Sequence, residues 1–230
     1  MKKFELTSEF VTFLGKKLFG IKALVSFGDV AEGELGGFIE RENNLDQHGD
    51  AWVYGDAQVS GDARVCGDAQ VSGDARVYGD AQVSGDARVC GDAQVSGDAR
   101  VCGDARVFGD ARVCGDARVF GNAWVYGDAW VYGDAQVSGD AQVSGDAQVS
   151  GNAWVQNCRD YSATSCFGSE NRTTTFFRTK DGGISVRCGC FYGTLREFRE
   201  KVKERHGDSR LAKEYLMLAD LMEFRLSKDE

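Results

Sequence analysis

Between Arg100 and Tyr132 a repetitive stretch of the chain changes character. Its variable positions, mostly Gln and Ser elsewhere, become Arg100, Arg106, Phe108, Arg112, Arg118, Phe120, Trp124, Tyr126, Trp130 and Tyr132. Arg, Trp and Tyr are enriched at interface hot spots and stack on planar ligands, so this belt is the first candidate for a subunit interface or a ligand groove. The second candidate is the loop Gly168-Ser169-Glu170-Asn171-Arg172-Thr173-Thr174-Thr175, with Arg178 beyond it. Its hydroxyls, backbone amides and two guanidinium groups suit a phosphate, with Ser169, Arg172, Thr173, Thr174 and Arg178 as the expected contacts. A third feature is an Asp recurring every six residues, whose stacked carboxylates could hold cations. Neighbouring charges about 5 Å apart repel by only about 1 kcal/mol in water, so a turn-forming role suffices and no metal is expected.

These residues sit on or beside an array that runs without insertion or deletion from Gly49 to Gln156 as eighteen copies of Gly-Asp/Asn-Ala-x-Val-x. A Gly in every copy would cost a helix about 1 kcal/mol per site, and an apolar spacing of six does not match a period of 3.6. A short strand over Ala-x-Val-x fits better. Ala and Val, two apart, then point to one side, inward, and the x residues point out. Gly and Asp or Asn tolerate the positive φ that the intervening corner requires.

The chain's formal charge is −9, and the array's sixteen Asp against seven Arg account for all of it. An acidic rod does not suit nucleic acid or an anionic membrane; it suits solubility or a basic partner. No apolar run approaches the roughly 20 residues of a membrane span, and the opening residues lack the apolar core of a secretory signal, so a cytoplasmic location is expected. The eight cysteines do not read as a disulfide framework, because Cys66, Cys90, Cys102 and Cys114 occupy the slot that holds Ser, Tyr or Phe in other copies. Cys188-Gly189-Cys190 does not specify a zinc site.

The hexad Val-x-Gly-Asp-Ala-x resembles the hexapeptide repeat of left-handed β-helix proteins, and the likeness covers about half the chain. It implies an all-β solenoid, a left-handed parallel β-helix with three hexads per triangular coil, so that eighteen hexads make six coils. The belt residues then divide among the faces: Arg106, Phe108, Trp124 and Tyr126 on one, Arg112, Trp130 and Tyr132 on the next, Arg100, Arg118 and Phe120 on the third. Members of this family commonly assemble as trimers through their prism faces, which makes a homotrimer interface the leading reading of the belt. The lead-in, Phe27-Gly28-Asp29-Val30 through Asn43-Asn44-Leu45, resembles the opening of hexapeptide-repeat proteins of phages and prophages. Many relatives are acyltransferases with a His general base. Here the only histidines are His48, at the ragged start of the array, and His206, near a helix end, and no loop interrupts the hexads to build a pocket.

Three segments follow. Residues 1–30 are expected to form a small N-terminal β cap of short strands. Residues 31–156 are the β-helix, its first coil degenerate as terminal repeats usually are. Residues 157–230 are expected to form a ββαα module, with strands over 173–178 and 184–188 joined by the Asp181-Gly182-Gly183 turn. Thr194 and Glu197 have the spacing of a capping box for the first helix, and Leu211, Tyr215, Leu218 and Met222 give the second a buried face. About 70 residues are too few for an independent core, so this module should lean on the solenoid.

The functional expectation is a non-catalytic oligomeric binding protein with no cofactor: a phage counter-defence protein that sequesters a host nucleotide signal between subunits. Two alternatives stand beside it. One is a decoy or scaffold whose acidic rod blocks a host protein; the other is an acyltransferase, which predicts acetyl-CoA turnover lost on His48→Ala.

Overall fold

The computed structural model describes residues 2–168 and 170–227. Its architecture follows from the hexad. Glycines through the array have φ between 58° and 75°, the left-handed region that a side chain disfavours. Sterics add a second requirement, since a Cβ on Gly91 would lie 3.0 Å from the backbone nitrogen of Gly109, one coil further on. Ala and Val of every hexad are 0–1% exposed, and each buried Val contributes about 1.5–3 kcal/mol before entropy is counted.

At the N-terminus β1 (Phe4–Phe13) and β2 (Lys16–Ala23) form an antiparallel hairpin. Leu14 (φ 49°) and Gly15 (φ 77°) make its two-residue turn, the all-positive geometry that matches strand twist. The short apolar clusters of the sequence thus join into two long strands, because polar Thr7-Ser8-Glu9 sits at a register shift between Leu6 and Phe10. Next, β3 (Leu35–Ile39) pairs antiparallel with β2 and parallel with the first rung of one prism face. The degenerate lead-in is therefore a coil, and the solenoid has about seven turns.

Eighteen two-residue strands follow, β4 (Trp52–Val53) to β21 (Trp154–Val155). Each pairs in parallel with the strand eighteen residues away, as in Gln58↔Arg76 and Val59↔Val77. Three sheets result. Face one carries Trp52, Gln70, Arg88, Arg106, Trp124 and Gln142 in its outward positions. Face two carries Gln58, Arg76, Gln94, Arg112, Trp130 and Gln148, and continues through β3 into the hairpin. Face three carries Arg64, Gln82, Arg100, Arg118, Gln136 and Trp154.

Both ends of the prism are closed. At the start, Trp52 is fully buried under Phe4 (ring centroids 6.2 Å) and Phe27 (5.4 Å). The lead-in crosses so close that a Cβ on Gly36 would meet Trp52 Cζ2 at 2.7 Å. First-coil carbonyls, lacking a preceding strand, are met by side chains. Lys3 Nζ donates to Gly49 O (3.1 Å) and Ala51 O (2.9 Å), and Asn44 Nδ2 donates to Gly61 O (3.0 Å) and Ala63 O (2.8 Å). Burial holds the Lys3 ammonium below its ordinary pKa, against the attraction of Asp46, Asp50 and Asp68.

Beyond the array the sheet has four antiparallel strands rather than the two expected: β22 (Tyr161–Phe167), β23 (Arg172–Arg178), β24 (Ile184–Cys188) and β25 (Phe191–Thr194). The two extra strands lie at its edges. Tyr-Ser-Ala-Thr-Ser-Cys-Phe has no apolar alternation to announce a strand, and β25 contains Gly193. On β23 consecutive phenylalanines point to opposite faces, as a pleated strand requires. Phe177 enters the prism core, whereas Phe176 enters the module core with Val186, Phe198 and Leu218. Two helices complete that core, α1 (Leu195–His206) and α2 (Arg210–Leu226). Thr194 Oγ1 accepts from Glu197 N, and Thr194 N donates to Glu197 Oε2 at 2.7 Å, so the capping box forms. Ser209 caps α2.

Candidate binding surfaces

In-register parallel pairing places equivalent side chains about 4.8 Å apart up each face, so like stacks on like. On face one this brings four belt residues into contact. The Arg106 guanidinium lies 5.2 Å from the Trp124 ring centre, and Phe108 meets Trp124 at 6.0 Å. Phe108 and Tyr126 stack at 4.9 Å with planes 2° apart. Arg88 extends this column, as the direct cross-strand neighbour of Arg106. Face three holds a second like-charge pair, Arg100↔Arg118, beside half-buried Phe120.

Face two divides the belt differently. Arg112 neighbours Trp130, and Trp130 packs on Tyr132 at 4.6 Å while its Nε1 donates to Cys114 Sγ at 3.1 Å. Tyr132, however, lies beneath the Arg187 guanidinium of β24 (5.9 Å), and Arg187 Nε donates to Gln148 Oε1 at 3.2 Å. Tyr132 therefore serves the docking of the C-terminal module, which the hexad pattern could not disclose because its partner lies outside the array.

Charge is segregated across the prism. Among the described residues none of the array's seven Arg lies within 4.0 Å of a carboxylate, and the array's one paired carboxylate is Asp62, 3.1 Å from Arg41. Asp residues line the edges and Arg residues the faces. Corner carboxylates also act on local polar groups: Asp68 Oδ1 accepts from Asp50 N at 3.0 Å, and Asp140 Oδ1 from Asn122 Nδ2 at 3.0 Å.

The Thr-rich loop does not converge as a phosphate site. Ser169 lies outside the described residues. Thr173 Oγ1 contacts Ser165 Oγ at 2.9 Å, and Thr174 is fully buried, its hydroxyl donating to Cys188 Sγ at 3.2 Å. Arg178 pairs with Asp160 (3.1 Å) and donates to the carbonyls of Leu226 (2.7 Å) and Ser227 (2.8 Å). It caps the C-terminal end of α2, where a cation is favoured. Arg172 and Arg178 stand at opposite ends of β23, Arg172 lining a cleft beside α1 and Arg178 lining others beside the end of α2, so the two guanidinium groups do not converge.

The histidines are equally apart. His48 is exposed, with Nδ1 3.2 Å from Asp46 Oδ1; the bond from the His48 backbone N–H holds the Asp46 carboxyl below the usual range. His206, in the last turn of α1, stacks on Tyr215 at 5.7 Å. Sequence reasoning passed over Lys3 and Asn44, whose signal is positional: polar side chains in a lead-in must satisfy the first coil's edge.

A seven-turn parallel prism with an N-terminal hairpin and a C-terminal sheet and helices defines a β-solenoid protein. The family model described as YdcK Beta solenoid repeat matches residues 69–85, 81–97, 93–107, 99–115, 111–127 and 135–151. The matched repeats and the prism together fit a repeat-containing β-helix family. No curated protein matches the chain. No described helix is long and apolar enough to cross a membrane.

Proposed function

We propose that this chain is a non-catalytic binding protein that works as a homotrimer, with its belt as the contact surface. The observation that carries the reading is the face-one column of Arg88, Arg106, Phe108, Trp124 and Tyr126, where guanidinium groups without ion-pair partners adjoin stacked rings. A single face of a prism is flat, and a small ligand needs walls on more than one side. Apposed subunits would supply them, with Asp edges of one copy available to Arg faces of another. A nucleotide fits that chemistry, its phosphates on Arg and its base on Trp or Tyr. Sequestration of a host nucleotide signal by a phage protein is the biological form of the proposal, and the phage-like lead-in motivates it.

Native mass spectrometry of the protein purified from cells, followed by calorimetry against cyclic and linear nucleotides, tests it. The expected result is a trimer whose nucleotide binding falls at least tenfold in Arg106→Ala and Trp124→Ala. A monomer at micromolar concentration with no nucleotide heat would refute it. The Asp-lined edges favour a second reading, a decoy for a basic site on a host protein. That reading predicts salt-sensitive capture of a protein partner and no small-molecule ligand.

A further inference from the structure

The C-terminal module contains a cleft of about 500 Å³ that the belt does not touch, within the size of small-molecule sites, about 300–1,000 Å³. Its floor is aromatic. Phe191 and Phe198 meet at 5.5 Å, Phe198 and Tyr215 at 5.8 Å edge-on, and His206 lies against Tyr215. Phe198 and Tyr215 are buried by their neighbours in the core. Around this floor stand Arg172 from β23 and Lys201 and Arg205 from α1, against the single carboxylate of Glu170. A cationic wall is notable in a chain of net charge −9.

The cations differ in how far they are already engaged. Arg172 is 4.0 Å from Glu170, and Lys201 pairs with Glu204 at 2.8 Å. Arg205 has no ion pair among the described residues. Basic groups in the last turn suit the helix end by themselves, but Arg172 reaches the same cleft from a different element, β23. Gly189 (φ 55°) lies beside Arg172, where a Cβ would sit 3.4 Å from Nη1. We propose that this cleft binds a small planar anion, its phosphate, sulfonate or carboxylate held by Arg172 and Arg205 and its ring laid against the half-buried Phe191 and His206 rings. Two guanidinium groups select the anionic end, and the half-buried Phe191 and His206 rings, packed on buried Phe198 and Tyr215, select the flat body.

Exposed Cys190 on the rim supplies a reporter. The intact chain is titrated calorimetrically with AMP, 8-anilinonaphthalene-1-sulfonate, adenosine and inorganic phosphate, and alkylation of Cys190 and of Cys158, an exposed thiol outside the cleft, is followed by mass spectrometry. At least one planar anion is expected to bind ten or more times more tightly than adenosine or phosphate. The same anion should slow Cys190 alkylation at least threefold and leave Cys158 unchanged. The double variant Arg172→Gln/Arg205→Gln should weaken binding at least tenfold, while Trp124→Ala should leave this site intact, which separates it from the belt. Failure of both planar anions to protect Cys190 at millimolar concentration, or unaltered binding in the double variant, would overturn the proposal.

Discussion

Phe176 and Phe177 offer a test of how the two cores are joined, because one strand sends two identical side chains into different ones. Both are 0% exposed, and truncating a fully buried Phe to Ala costs about 3–5 kcal/mol. The cost should fall on different partners. All four Trp residues lie in the array, so Trp fluorescence reports the prism, whereas ellipticity at 222 nm reports chiefly α1 and α2. In a urea titration Phe177→Ala should lower the fluorescence midpoint by opening the prism's C-terminal end. Phe176→Ala should lower the helical midpoint first and by more, since Phe198 loses one of its two edge-on partners, at 5.9 Å. Two variants with identical effects on both probes, or a cost below about 1 kcal/mol for either, would refute the assignment of these rings to separate cores.

Asn44→Ala should destabilise the N-terminal coil by about 1–3 kcal/mol, because the buried carbonyl of Ala63 loses its donor while that of Gly61 keeps only Arg41 Nη2 at 2.7 Å; hydrogen exchange at the first coil would show it, and exchange equal to the parent's would contradict it. Cys66 and Cys90 have thiol pKa values pushed up, chiefly by burial. Their alkylation rates should therefore keep rising with pH beyond the range where an ordinary thiol levels off. By linkage the stability tied to those thiols is fully present below the unfolded-state pKa and lost as pH rises through the folded one. Peptide mapping after timed alkylation across that range would check the reactivity, and an ordinary thiol profile would remove the argument.

The prism was legible because the hexad repeats one physical requirement eighteen times: small and aliphatic residues inside, a positive-φ corner, polar residues outside. The capping box at Thr194 and the buried face of α2 at Tyr215, Leu218 and Met222 were legible for the same reason, each being local, although Leu211 is only half-buried and Ala212 is buried beside it. What could not be read depends on partners distant in sequence. Arg178 looked like a phosphate ligand until its carbonyl partners, Leu226 and Ser227, came near through folding. Tyr132 looked like any belt residue until β24 covered it. The strand Tyr161–Phe167 was hidden because its packing comes from the neighbouring β23, with no apolar pattern of its own.

The eighteen-residue register has a consequence for how such a chain can change length. Adding or removing a whole coil shifts the C-terminal module along the axis by about 4.8 Å and restores its angular position. Adding one hexad between Gln148 and the module turns the module by a third of a revolution, so that Arg187 faces a column other than the one holding Tyr132 and Gln148; adding it further upstream instead turns the N-terminal hairpin relative to the module. Copy number is thus a screw as well as a ruler, and only lengths changed in multiples of three hexads keep both ends in phase.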